Sequence, residues 1–350
     1  MTKRIGIPAF AATALLLAAC GADAPRPEAE GADPGVVNVY SHRHYESDQE
    51  LFRRFTEATG IQVKVVTASA DELITRLEAE GAASPADVLI TVDAGRLHRA
   101  KERGLLQPVD SEVLRANVPA HLRDPEGYWF GLTRRARVIV YAKDRVQPGE
   151  LTSYRDLASE RWKGRLLVRS SENVYNQSLL ASIIANEGEA AAREWAAGVA
   201  RNMARPPSGG DTDQAKAVVA GLGDVAIVNT YYVARLIASA DPEERRVGEQ
   251  LGVIFPEQDG RGAHVNVSGA GVTAHAPNRA NAIRLLEFLS SDEAQSVFAE
   301  ANHEYPVKPG AEPSAVLRGW GEFEADTLNL AVLGELNAAA VRVFDEVGWR

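Results

Sequence analysis

Two rhythms of apolar and polar residues succeed each other along this chain, one with the period of strands and one with the period of helices. Residues 36–40 (VVNVY) and 61–66 (IQVKVV) carry the β-branched runs of strands. Between them, residues 47–60 have the spacing of an amphipathic helix, and Ser47 with Glu50 three residues on predicts a capping box ended by Gly60. Residues 71–80 predict a further helix, 87–91 a buried strand and 93–104 another helix. Strands and helices alternating at these short spacings predict an α/β fold with a mainly parallel sheet.

A second block repeats the alternation. Residues 165–169 read as a strand, 175–186 and 189–204 as helices, 211–221 as helical, 225–228 as a strand and 231–240 as a helix. Residues 135–143 (RARVIVYAK) lie between the blocks and 264–276 lie near the end; both are long, apolar and continuous. Two α/β lobes joined by extended crossing segments predict a hinged cleft.

The first residues have another character. Lys3 and Arg4 precede an apolar run over residues 5–19, and Leu17-Ala18-Ala19 leads into Cys20. A positive start, a short apolar stretch and small residues before a cut site predict an export signal, too short for an ordinary membrane span. Residues 17–20 resemble a bacterial lipobox, which implies a mature chain starting at a lipidated Cys20 and held at a membrane. Residues 21–35, rich in Pro, Ala, Gly and acid, predict a flexible tether.

Composition narrows the chemistry. At 350 residues, with 45% hydrophobic and 25% charged, the chain is long enough for two lobes with their own cores. Loss of Lys3 and Arg4 leaves 36 basic against 48 acidic residues, a formal charge of −12, which argues against nucleic acid as a partner. Cys20 is the only cysteine, so the folded part has no disulfide, thiolate metal site or cysteine nucleophile.

Tyrosines mark the turns where strands hand over to helices. Tyr45 follows the first strand, Tyr175 follows the strand at 165–169, and Tyr231 and Tyr232 follow residues 225–229 directly. In α/β sheets the carboxyl ends of strands form the ligand crevice, and helix N-termini there favour anionic groups. A tyrosine at a helix start is usually a packing residue with its hydroxyl at the surface. The adjacent pair is less easily explained so. Should the four rings converge, their phenols, with ordinary pKa near 10, ask for a strong, hard cation. Zinc prefers histidine or thiolate and calcium prefers clustered carboxylates, whereas tyrosine is a known iron ligand. Four phenolates exceed the charge of Fe3+ by one, so arginines are wanted nearby; Arg43, Arg134, Arg135 and Arg235 are the candidates.

Several segments resemble the periplasmic ferric-iron-binding proteins of the extracellular solute-binding family. Residues 40–48 (YSHRHYESD), 85–97 (PADVLITVDAGRL), 162–165 (WKGR), 304–307 (EYPV) and above all 224–232 (DVAIVNTYY) are similar to family motifs. The resemblance spans nearly the whole mature chain. It implies the transferrin-like, type II two-lobed periplasmic binding fold, with lobe 1 at about 36–136 and 262–312 and lobe 2 at about 137–261 and 313–350. It implies Tyr231 and Tyr232 as metal ligands, then Tyr175 and Tyr45, with His44 as a weaker one. The set looks more like the tyrosine-rich kind of relative than the kind that uses an upstream histidine with a carboxylate and a bound anion, which leaves a synergistic carbonate or phosphate an open question. Partners implied are a membrane permease and its ATPase, with the binding protein itself a monomer on the periplasmic or cell-surface side.

Rival readings remain at this level. The same fold can carry an organic anion, a polyamine or thiamine. An enzyme is disfavoured because no H-E-x-x-H, G-x-S-x-G or G-x-x-x-x-G-K pattern occurs. Residues 208–210 (SGG) read as a turn, and the glycines of 268–271 (SGAG) as close strand packing. A structural or adhesion lipoprotein would leave the tyrosine pair without a purpose.

Overall fold

Strand β1 (Val36–Ser41) lies between β2 (Gln62–Thr67) and β3 (Val88–Thr91) and pairs with both in parallel. The helices Glu46–Thr59 and Ala70–Glu80 supply the crossovers that parallel pairing demands. The computed structural model describes residues 1–2, 35–43 and 45–350. The export signal from residue 3 on, Cys20, the tether up to residue 34 and His44 lie outside the described residues.

A short β4 (Leu106–Gln107) precedes β5 (Phe130–Ala142), the longest strand and the one that joins the two halves. The second half holds β6 (Leu166–Leu167), β7 (Val225–Asn229) and β8 (Leu251–Ile254). The chain then returns through β9 (Val265–Thr273) to β10 (Tyr305–Pro306). β5 pairs with β9 as far as Ala136, opposite Val265, and with β7 from Arg137, opposite Asn229. One strand therefore changes partners within a single residue step, and side chains at that step face both halves.

The sheet is mixed. Parallel pairs β1–β2, β1–β3 and β6–β7 belong to the β-helix-β units that the alternation predicted. The crossing strands β5 and β9 enter antiparallel, because each returns from the other half rather than through a local helix. Gly269 and Gly271 of β9 lie where a Cβ would meet the carbonyl oxygens of Phe130 and Tyr128 at 2.6 Å, the close packing expected of them.

Burial explains why these elements hold. Val225, Ala226, Ile227 and Val228 are wholly buried, and each of the larger side chains contributes about 1.5–3 kcal/mol relative to exposure. The helix Val174–Glu187 is buried over nine consecutive residues from Asn176 to Ile184, so it is a central helix and not a surface one.

The predicted cap at Ser47 is corrected. The helix starts at Glu46 with Tyr45 as its N-cap, and no side chain caps it. Ser47 lies inside the first turn, buried, and its hydroxyl accepts a hydrogen bond from Asn302 Nδ2 at 2.7 Å. A long-range partner takes the oxygen that a local capping box would have used. The capping box forms instead one helix later, between Ser69 and Glu72.

Candidate metal centre

Three helix N-termini converge between the halves, and each brings a tyrosine. Tyr45 is the N-cap of Glu46–Thr59, Tyr175 is the second residue of Val174–Glu187, and Tyr231 is the second residue of Thr230–Ala238. Each helix owes its start to extended backbone at the preceding residue: Tyr45 itself, Asn173, whose side chain accepts from the Tyr175 N–H at 3.0 Å, and Asn229. The aligned peptide dipoles at these helix starts give a positive potential that favours phenolate over phenol.

The rings meet. Tyr231 donates its hydroxyl to the Tyr175 hydroxyl at 3.2 Å. The Tyr231 and Tyr232 rings lie 4.2 Å apart at 34°, although consecutive helical residues ordinarily diverge. The chain is only entering the helix there, which lets both rings turn toward the same space. Tyr45 joins them through the Arg235 guanidinium, which lies 4.6 Å from the Tyr45 ring and 5.3 Å from the Tyr231 ring. Tyr231 is 3% exposed, while Tyr45, Tyr175 and Tyr232 keep partial access to solvent.

Electrostatics oppose ionising these phenols in the metal-free state. Burial raises the Tyr231 phenol well above its ordinary value, and the nearby Tyr175, Tyr232 and Tyr45 would add repulsion. Burial and then Tyr232 raise Tyr175, against the pull of Arg135 and the hydrogen bond from Tyr231. Tyr45 is raised by burial and Glu304, and lowered in part by Arg43 and Arg235. A bound cation of high charge reverses this balance, since it stabilises all the anions at once.

Arginines surround the cluster. Arg135 (5.3 Å), Arg169 (5.5 Å) and Arg137 (5.8 Å) all approach the Tyr175 ring. Arg135 is 2% exposed and gives one bond to the Val92 carbonyl, while its Nε and Nη1 have no hydrogen-bond partner among the described residues. A buried guanidinium left so is costly unless an anion comes to it. Arg43 lies 4.9 Å from the Tyr45 ring but is already committed to Asp48 and Glu304, each at 3.0 Å.

Arg134 is corrected as a neighbour of the tyrosines. Successive residues of a strand face opposite ways, so Arg135 turns to the cluster and Arg134 turns to the other side. There Arg134 donates to the Pro306 carbonyl at 3.2 Å and stacks near Tyr305 and Phe323. The same alternation should have pointed to Arg137, two residues after Arg135, which sequence reasoning missed. It also missed Arg169, Asp211 and Glu304. Asp211 is wholly buried and accepts from Arg137, from Arg169 at 3.4 Å and from the Asn229 N–H at 2.7 Å, tying the guanidiniums to the start of the Tyr231 helix. Glu304 would be raised by burial alone, but Arg43 and Arg135 hold its carboxyl below the usual range.

Among the described residues no group of three His, Cys, Asp or Glu side chains is placed to hold a metal ion. The candidate donors in the cleft are phenol oxygens.

Comparison with known proteins places this architecture. Residues 83–318 match the family model described as bacterial extracellular solute-binding protein. Iron uptake protein A1 of Synechocystis is 49% identical over 337 residues, covering 96% of this chain and 93% of that protein. The major ferric iron-binding protein of Neisseria meningitidis is 28% identical, covering 90% and 93%. A Trichodesmium protein solved in complex with iron and citrate is 52% identical, covers 90% of this chain and 100% of that one, and superposes with a TM-score of 0.88. The ferric binding protein of Campylobacter jejuni, 43% identical, covers 90% and 100% with a TM-score of 0.86. The chain is a two-lobed member of the bacterial extracellular solute-binding protein family.

Proposed function

We propose that this protein captures ferric iron in the periplasm through the phenolates of Tyr45, Tyr175, Tyr231 and Tyr232 and delivers it to a membrane permease driven by an ATPase. The convergence of Tyr231 and Tyr175, with their hydroxyls 3.2 Å apart, carries the reading. The names of the iron-uptake and ferric-iron-binding relatives supply the metal, and the hard phenol oxygens suit it. His44 stands as an additional ligand, Cys20 as the lipid anchor, and the working unit as a monomer.

Charge balance follows from the arginines. Four phenolates leave one negative charge over on Fe3+, and Arg135 and Arg235 are the cations nearest the rings with capacity to offset it. Arg43 acts more rigidly, by fixing the segment that leads to Tyr45.

Capture is coupled to closure. The proposed lobes are 36–136 with 262–312, and 137–261 with 313–350; the change of partners along β5 at residue 136 supports the boundary. Tyr45 comes from the first lobe and the other three tyrosines from the second, so the metal binds the closed form better and stabilises it. Release follows from protonation of the phenols or reduction to the softer ferrous ion.

Equilibrium competition between the protein and citrate for ferric ion tests the assignment. Tyr231→Phe and Tyr175→Phe each weaken ferric binding by more than about 100-fold, beyond the 10–100-fold typical of residues that only support a ligand. Unchanged affinity in both would remove the tyrosine site.

A further inference from the structure

Beside the helix Thr230–Ala238, where Tyr305 and Leu317 cluster with Ala234, lies a pocket of about 470 Å3, a size that suits a small organic ligand. Its walls are Arg134 of β5, Tyr305 of β10, Leu317 of the short helix Ala315–Arg318, and Phe323. Arg134 and Tyr305 are register partners across the β5–β10 ladder, so their side chains rise from the same place in the sheet.

Two polar groups there have hydrogen-bonding capacity left over among the described residues. The Tyr305 residue is 5% exposed and its hydroxyl has no hydrogen-bond partner among the described residues. Arg134 makes one hydrogen bond, from Nε to the Pro306 carbonyl, and no ion pair among the described residues. Its guanidinium edge is therefore available for the paired N–H···O contacts that a carboxylate accepts. Around these groups the pocket is apolar and aromatic: Phe323 stacks on Phe255 at 4.3 Å and meets Tyr305 edge-on at 5.2 Å.

The rim limits the charge of the occupant. Glu312 and Glu322 line the pocket from exposed positions with Arg318, and neither glutamate pairs with Arg134. One inner and one outer guanidinium set against two rim carboxylates give no net positive field, so the further charges of a polyanion gain no attraction, while a single carboxylate on an apolar body keeps its contact with Arg134 and the apolar walls.

We propose that this pocket binds a small monocarboxylate with an aromatic or branched apolar body, its carboxylate on Arg134 and the Tyr305 hydroxyl and its body against Phe323 and Leu317. The proposal does not rest on the iron reading, although Arg134 and Tyr305 fall in the first proposed lobe and Leu317 and Phe323 in the second.

Benzoate is the probe. Titrated into the purified protein and followed calorimetrically, it binds saturably at one site, at least tenfold tighter than acetate, because acetate lacks the ring that Phe323 covers. Arg134→Gln weakens it at least tenfold; Arg134→Lys, which keeps the charge but not the planar fork, recovers part of the loss. Citrate at equal concentration does not displace it. Crystals soaked in benzoate, which require no variant, show its carboxylate on Arg134. The proposal is overturned by absence of saturable binding, by binding unchanged in Arg134→Gln, by displacement with citrate, or by benzoate bound only elsewhere in the soaked crystal.

Discussion

Tyr231 reaches the hydroxyl of Tyr175 across 56 residues of sequence and a distance of 3.2 Å, donating a proton that ferric iron would displace in the proposed site. Burial keeps both phenols protonated in the metal-free protein. Ferric binding therefore releases protons, about three or more when Tyr45 is included, and apparent affinity falls steeply as pH falls. Proton release measured in weakly buffered solution at neutral pH checks this; release of one proton or fewer contradicts multiple phenolate ligation.

Arg135 makes an opposite pair of predictions. Its Nε and Nη1 are buried without hydrogen-bond partners among the described residues, and the nearby Glu304 carboxylate offsets only part of the cost of that burial. Arg135→Met stabilises the metal-free protein by about 1–3 kcal/mol and weakens ferric binding by about 10–100-fold. Chemical denaturation with and without ferric ion measures both; a variant less stable without metal argues that the guanidinium serves the fold alone.

The alternation of strands and helices was legible along the chain because each β-helix-β unit is local, and the tyrosines were legible because strand-to-helix turns are local too. What surrounds the tyrosines was not. Glu304 meets Arg43 from 261 residues away, and Asp211 meets Arg137 from 74 away. No spacing in the sequence brings such pairs together. Ser47 shows the converse: a good local cap signal lost to Asn302, a partner 255 residues distant. Arg134 was misassigned although strand alternation alone separates it from Arg135.

Ser178 donates to Asp93 Oδ2 at 2.7 Å, joining the central helix Val174–Glu187, placed in the second proposed lobe, to the N-cap of the helix Ala94–Glu102, placed in the first. It lies one turn after Tyr175, on the same side of its helix. Asp93 keeps Asn266 as a partner, also at 2.7 Å, when Ser178 is removed. Ser178→Ala thus costs the closed form about 1 kcal/mol and raises the open population about fivefold. Small-angle scattering of the metal-free protein reads the change as a larger radius of gyration; identical profiles would show that the bond does not hold the lobes together.

His264 governs part of the acid stability. Burial first, then Arg137, Arg135 and Arg261, depress its imidazole to about 3. The unfolded chain takes up this proton near pH 6.5 and the folded chain does not, so stability present above pH 6.5 is lost as pH falls toward 3. His264→Gln removes about one proton, or about 1.4 kcal/mol per pH unit, from the stability slope in that window. Urea unfolding at a series of pH values between 4 and about 7 checks it; an unaltered slope assigns the acid sensitivity to other groups.

The most direct measurement is the visible spectrum of the purified protein titrated with ferric citrate, repeated with Tyr231→Phe and Tyr232→Phe. The account predicts a phenolate-to-iron charge-transfer band that saturates near one equivalent and collapses in both variants. Saturable iron binding without that band, or a band untouched by both substitutions, contradicts capture by the tyrosine cluster.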